Sequence, residues 1–184
     1  MTTTDISNAT PLYERTMLIV GHPFTVLIDR GSGEVVAGGF CPVSELVARL
    51  EPADRGERVA APHDHPVLAA LRAYDAGDFA AIDALAVRQT APPFRRVVQE
   101  QMRNIPAGTA LTYGELAAES GRPTAARAAG SACATNLVAL IVPCHRVVRT
   151  DGSHGGYAYG VEVKGALLRH EGVRETRERH TSAT

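Results

Sequence analysis

Cys144, His145 and Arg146 stand in a row just after an apolar run, Leu137 to Val142, with Pro143 between. A thiol attacks as its thiolate, and its free pKa of ~8.5 falls beside an imidazolium or a guanidinium. Two such neighbours within two residues read as a reactive cysteine, whereas an isolated thiol is more often a buried packing group. Pro143 lacks a backbone donor and biases Val142 toward extended geometry, so the apolar run reads as a buried strand-like piece that delivers Cys144 at its end. Cys41 and Cys133 have no charged neighbours and read as inert packing residues.

Other groups nearby suit chemistry on a base. The stretch Thr124 to Ala134 is almost all Ala, Gly and Ser with one long side chain, Arg127. Small residues let a backbone approach a surface closely, and a lone arginine there can enter a minor groove and fill the place of an extruded base. The same composition also suits an alanine-rich helix packed on a neighbour. Tyr113 opens a helical pattern either as a core aromatic or as a hydroxyl donor. Asn136 can pin the turn before the apolar run. Gly152, Gly155, Gly156 and Gly160 make 151–160 a flexible loop that carries Tyr157 and Tyr159, either over a flipped base or as a plain surface loop. Adjacent side chains of an extended segment point opposite ways, so a proton passing between Cys144 and His145 needs a bridging water.

These groups need a frame. Arg15 to Val20, Phe24 to Asp29 and Glu34 to Phe40 are short Val/Ile/Leu-rich runs parted by glycine turns, which predicts an antiparallel three-stranded meander. Pro42 and Pro66 open helical patterns, and Glu51 to His65 between them has no periodicity and reads as a loop. Thr90-Ala91-Pro92-Pro93 is the expected boundary between a small α+β domain, 1–91, and a mostly helical one, 92–172, with a disordered tail over 173–184. In the second domain helices are expected over Phe94 to Asn104, Thr112 to Ser120, Pro123 to Ala134 and Val161 to His170. Thr112 and Glu115 form a Thr-x-x-Glu capping box, and the Gly/Pro turn after it suggests a helix-turn-helix.

The chain has 184 residues and a net charge of -1. That balance hides an asymmetry: residues 1–93 hold 7 Lys+Arg against 12 Asp+Glu (7 - 12 = -5), and residues 94–172 hold 9 against 6 (9 - 6 = +3). The second half is the expected nucleic-acid face, with few phosphate contacts and salt-sensitive binding. The longest clean apolar run is far too short to span a bilayer, and three cysteines without framework spacing favour a reducing compartment, so the expected location is the cytoplasm.

Five blocks carry a resemblance: Pro143-Cys144-His145-Arg146-Val147, Thr112-Tyr113-Gly114-Glu115-Leu116-Ala117, Ala125-Ala126-Arg127-Ala128 with Asn136, Gly156-Tyr157, and Leu167-Leu168-Arg169-His170-Glu171-Gly172. In this order and near-spacing, over about 92–172, the chain resembles the O6-alkylguanine-DNA alkyltransferases, or methylated-DNA–protein-cysteine methyltransferases. The resemblance implies double-stranded DNA containing O6-alkylguanine as partner and irreversible, single-turnover transfer of the alkyl group to Cys144. It implies a relay from Glu171 through His145 and a water to Cys144, with Tyr113 donating to the leaving guanine and Asn136 as a hinge of the site. Arg127, with Thr124, Ala125, Ala126 and Ala128, would enter the minor groove. Gly156, Tyr157, Ala158, Tyr159 and Val147 would line the base pocket. No cofactor and no metal are expected, because Cys41, His22, His63 and His65 lack ligand spacing. A monomer is expected, acting with or without cooperativity on DNA.

The chain departs from the family at Arg95 and Val98-Gln99, at Leu137 where proline is common, at Ala158 where some members carry serine, and at Tyr159 where glycine is frequent. Two rivals share parts of the pattern. Alkyltransferase-like proteins bind damage but lack the cysteine, and a cysteine hydrolase would use the Cys/His pair on an acyl substrate and turn over repeatedly.

Overall fold

The computed structural model describes residues 9–173. The tail expected over 173–184 therefore lies, apart from Val173, outside the described residues. Strands β1 (Leu12–Ile19) and β2 (His22–Asp29) form a hairpin whose two-residue turn, Val20-Gly21, has positive φ at both positions. That turn type matches the natural twist of the flanking strands. Strand β3 (Val35–Gly39) adds antiparallel to β2, as the alternation predicts. Helix α1 (Val43–Arg49) follows. A fourth strand, β4 (Arg58–Ala60), then pairs parallel to β1, giving the order β3-β2-β1-β4. This corrects the three-stranded meander and the structureless 51–65 loop: three exposed residues at a sheet edge are too few to show a period. Helix α2 (Pro66–Asp75) begins on its proline and buries Val67, Leu68, Leu71 and Tyr74.

The chain then returns along the sheet. Val35 N–H donates to the Ala86 carbonyl and Arg88 N–H to the Val35 carbonyl, while the Arg88 guanidinium reaches Asp29 (2.8 Å), Glu34 (3.2 Å) and Asp54 (2.6 Å). Helix α3 (Pro93–Asn104) starts where the two prolines predict. A two-stranded parallel pair, β5 (Leu111–Thr112) with β6 (Val147–Val148), flanks α4 (Tyr113–Glu119), whose capping box is present with both reciprocal hydrogen bonds. Gly121, at φ +78°, ends α4 with its N–H on the Ala118 carbonyl and that of Arg122 on the Ala117 carbonyl. Helix α5 (Ala126–Ala134) starts later than the sequence predicts, so Thr124 and Ala125 belong to the turn that enters it. Helix α6 (Val161–His170) closes the described chain.

The protein is α+β: among the described residues a mixed four-stranded sheet and a two-stranded pair pack with six α-helices. One buried cluster runs through both halves, from Ile19, Phe24 and Leu71 to Met102, Leu116, Val147 and Leu167. The run Leu137 to Val142 is buried as expected but is not a strand. It touches β3 through one bridge, Gly38 with Val138, then turns at Leu140, whose φ is +72°. An apolar run reports burial; it does not distinguish a strand from a buried turn.

Candidate active site

The site is built around one carboxylate. Glu171 caps the C-terminal end of α6, and Gly172, at φ +78°, terminates the helix with its N–H on the Arg169 carbonyl and that of Val173 on the Leu168 carbonyl. A carboxylate there opposes the helix dipole, so its partners must hold it. They do: Arg146 donates Nε to Oε2 at 2.8 Å and Nη2 to Oε1 at 2.9 Å, Tyr74 donates its hydroxyl to Oε1 at 2.7 Å, and His145 Nε2 lies 2.9 Å from Oε1. Burial alone would raise the Glu171 pKa, but the hydrogen bonds from His145 and Arg146 outweigh it and hold the carboxyl far below the usual range.

An ionised Glu171 only accepts, so the proton between it and His145 sits on Nε2. Burial lowers the imidazole pKa against the pull of Glu171. The ring is therefore neutral near pH 7, with a lone pair on Nδ1, which is buried and has no hydrogen-bond partner among the described protein atoms.

Cys144 begins a short 3-10 turn, Cys144–Arg146, instead of ending a strand. Its Sγ accepts from Asn136 Nδ2 at 3.2 Å. Burial pushes the thiol up, and the Asn136 hydrogen bond and the charge of Lys164 pull it back. Arg146 does not stand beside the thiol as its sequence position suggests; its guanidinium is turned onto Glu171 and, through Nη1, the Ile105 carbonyl at 2.5 Å. The cations that pull on the thiol are Lys164 on α6 and, more weakly, Arg49; Lys164 is the fully buried one. It donates Nζ to the Val147 carbonyl at 2.5 Å and is brought down by desolvation to a pKa of about 8.

Asn136 is a hub. Besides the thiol, its Nδ2 donates to the Val142 carbonyl at 2.8 Å, while its Oδ1 accepts from Val138 N–H at 3.1 Å and from Gln89 Nε2 at 3.3 Å. Gln89 Oε1 in turn accepts from Leu137 N–H. These bonds fix the turn before Cys144, the role its position in the sequence suggests.

Cys144 opens into a cavity of about 310 Å³. Tyr113, Gly156, Tyr157, Ala158 and Tyr159 line it together with Gly130, Cys133 and Ala134 of α5. Burial raises the Tyr113 and Tyr157 hydroxyl pKa values, and the Tyr157 hydroxyl has no hydrogen-bond partner among the described protein atoms. Val147 does not join the lining: as part of β6 it is wholly buried against Leu111. Cys133 is more than packing, since it borders the cavity, although burial pushes its thiol far up. Next to this mouth α5 buries Ala129 and Ala132 and exposes Arg127, Ala128, Ser131 and Ala134. The result is a smooth face with one long cation beside a pocket.

A family profile described as 6-O-methylguanine DNA methyltransferase, DNA binding domain, matches residues 93–173. The methylated-DNA–protein-cysteine methyltransferase of Salmonella typhimurium is 47% identical over 116 residues, which cover 63% of this chain and 68% of that protein. The chain belongs to the methylated-DNA–protein-cysteine methyltransferase family. The bifunctional transcriptional activator/DNA repair enzyme Ada of Escherichia coli is 40% identical over 137 residues, 73% of this chain and 37% of Ada. The O6-methylguanine methyltransferase of Mycobacterium tuberculosis superposes with a TM-score of 0.70 at 28% identity, covering 88% of this chain and 93% of that one. A crystal structure of that organism's OGT in complex with DNA gives 0.69 at 29% identity, covering 87% and 92%. The activity is that of the family, alkyl transfer in DNA repair.

Sequence reasoning missed four residues of this methyltransferase site: Tyr74, Gln89, Lys164 and Arg49. Arg49, at the end of α1, donates to the Asn136 carbonyl at 3.1 Å and to the Tyr159 hydroxyl at 3.1 Å. Three of the four come from the first half, 55 or more residues before Cys144 in the linear chain (Gln89, the nearest, at 144 - 89 = 55). The only available signal was Lys164, a cation inside an otherwise apolar helical face.

Proposed function

We propose that the protein repairs double-stranded DNA by moving the alkyl group of an extruded O6-alkylguanine onto Cys144 in one irreversible step. Cys144 Sγ attacks the alkyl carbon, a thioether bond forms, and the carbon–O6 bond breaks with its electron pair passing to the purine. The thiol proton goes to His145 Nδ1 through a water, with Glu171 stabilising the imidazolium. Tyr113 hydrogen-bonds to the purine as negative charge develops on it. Arg127 fills the gap left by the base, and the residues 124–128 lie along the groove. A thioether is not hydrolysed under cellular conditions, so each molecule acts once. Residues 92–172 carry this chemistry and residues 1–91 buttress it; no cofactor or metal takes part, and the protein works in the cytoplasm as a monomer, with or without cooperativity on DNA.

The observation that carries the reading is the unpartnered Nδ1 of His145 at the end of a Glu171-fixed tautomer, beside a thiol that opens into a pocket under an exposed small-residue helix. Incubation with duplex DNA carrying labelled O6-methylguanine tests it. Label is expected on the protein at one per molecule; label left on the DNA favours a damage-binding protein, and turnover beyond one favours a hydrolase-like enzyme.

A further inference from the structure

Tyr159 forms part of the cavity wall, and three residues against its ring, Gly39, Phe40 and Arg49, come from the first half of the chain. Arg49 Nη1 donates to its hydroxyl at 3.1 Å, and the Phe40 ring meets it edge-on with centroids 6.0 Å apart. Gly39, at the end of β3, gives the phenol its seat: a Cβ there would lie 2.6 Å from Tyr159 Cζ and closer still to the hydroxyl. On its other side the ring packs edge-on against Tyr157, centroids 5.4 Å apart. The cavity it helps enclose, about 310 Å³, sits at the small end of the ~300–1,000 Å³ typical of small-molecule pockets.

We propose that the first half of the chain sets the upper size limit on the transferable group: Arg49 and the Gly39 seat hold Tyr159 as a fixed wall, so O6-alkylguanines with small alkyl groups react and bulky ones require that wall to open. The inference rests on the alkyl-transfer reading. Opening the wall breaks the Arg49–Tyr159 hydrogen bond, so a variant without that bond loses part of the barrier to bulky substrates, read as a rise in the benzyl-to-methyl ratio. Arg49 also supports the Asn136 carbonyl, and its loss slows both substrates; the informative quantity is the ratio between them.

The test measures inactivation by free O6-methylguanine and free O6-benzylguanine, each normalised to its intrinsic reactivity with a small thiolate. Wild type should discriminate against benzyl. Tyr159→Phe, which keeps the ring and loses the bond, should raise the benzyl-to-methyl ratio by about three- to ten-fold, and Tyr159→Gly by about ten-fold or more. Arg49→Leu should raise it as Tyr159→Phe does, and the double variant should rise no further, because both remove one bond. Additive ratios, or an unchanged ratio in Tyr159→Phe and Tyr159→Gly with methyl transfer intact, would overturn the wall assignment alone. Failure of wild type to react with either compound would instead bring down the alkyl-transfer reading, and this inference with it.

Discussion

Cys133 and Cys144 border the same cavity from different elements, α5 and the turn after Pro143. Burial raises the pKa of both thiols, and the Lys164 charge pulls both down. They differ in what else touches them. Cys144 accepts a hydrogen bond from Asn136 and stands next to the Glu171–His145 pair, whereas Cys133 rests on the Met102 sulfur at 3.5 Å, which offers neither charge nor a proton acceptor of any strength. Access to a pocket therefore does not make a nucleophile; a donor for the thiolate and a route for the proton do.

Replacing Cys144 with Ala should abolish transfer while leaving duplex affinity within a few-fold, since the thiol adds little contact area. Next is Glu171→Gln, which leaves His145 without a charge to stabilise its protonated form; transfer should slow on the order of a hundred-fold, and the acid limb of the rate profile, which reports protonation of His145, should shift to lower pH. An unshifted limb would remove Glu171 from the relay. The same variant changes stability in a defined window. Because the folded-state pKa of Glu171 is depressed, its contribution is fully present above the ordinary value of 4.5 and is lost progressively as pH falls below it. Urea melts from pH 6 down to 3 should show a shallower acid loss in Glu171→Gln than in wild type; parallel curves would contradict the coupling.

Arg127→Ala should reduce reaction with duplex DNA by about ten-fold or more and leave reaction with free O6-methylguanine within two-fold, since only the duplex needs its base held out. Equal losses on both substrates would make Arg127 structural. Lys164→Met should raise the reactive thiol's apparent pKa by removing the buried cation while filling the same space; an unchanged profile in a folded variant would show that Lys164 does not tune the thiol. The smallest effect expected is that of Cys133→Ala, within about two-fold for transfer and with a single label per molecule retained.

The sequence carried much of this in local signals. Prolines at 66 and 93 and the Thr112–Glu115 box opened α2, α3 and α4 where the structure has them, because caps and starts are read from adjacent residues. The grouping of Cys144, His145, Glu171, Tyr113, Asn136 and the tyrosine loop came from the resemblance their blocks carry, and they do converge on one site. What failed was direction. Linear adjacency put Arg146 on the thiol, but the 3-10 turn sends it to Glu171. The first half had no assigned purpose because Tyr74, Gln89 and Arg49 act through space, across hairpins and helices whose packing no local pattern encodes. β4 escaped notice because three residues have no period.

On the proposed reading wiring, and not access, selects the acceptor. Peptide mapping by mass spectrometry after reaction with a duplex containing O6-methylguanine tests this most directly, on the wild-type protein. A methyl group is expected on Cys144 at one per molecule with Cys133 and Cys41 unmodified; methyl on Cys133, or divided between the two pocket cysteines, would contradict selection by wiring.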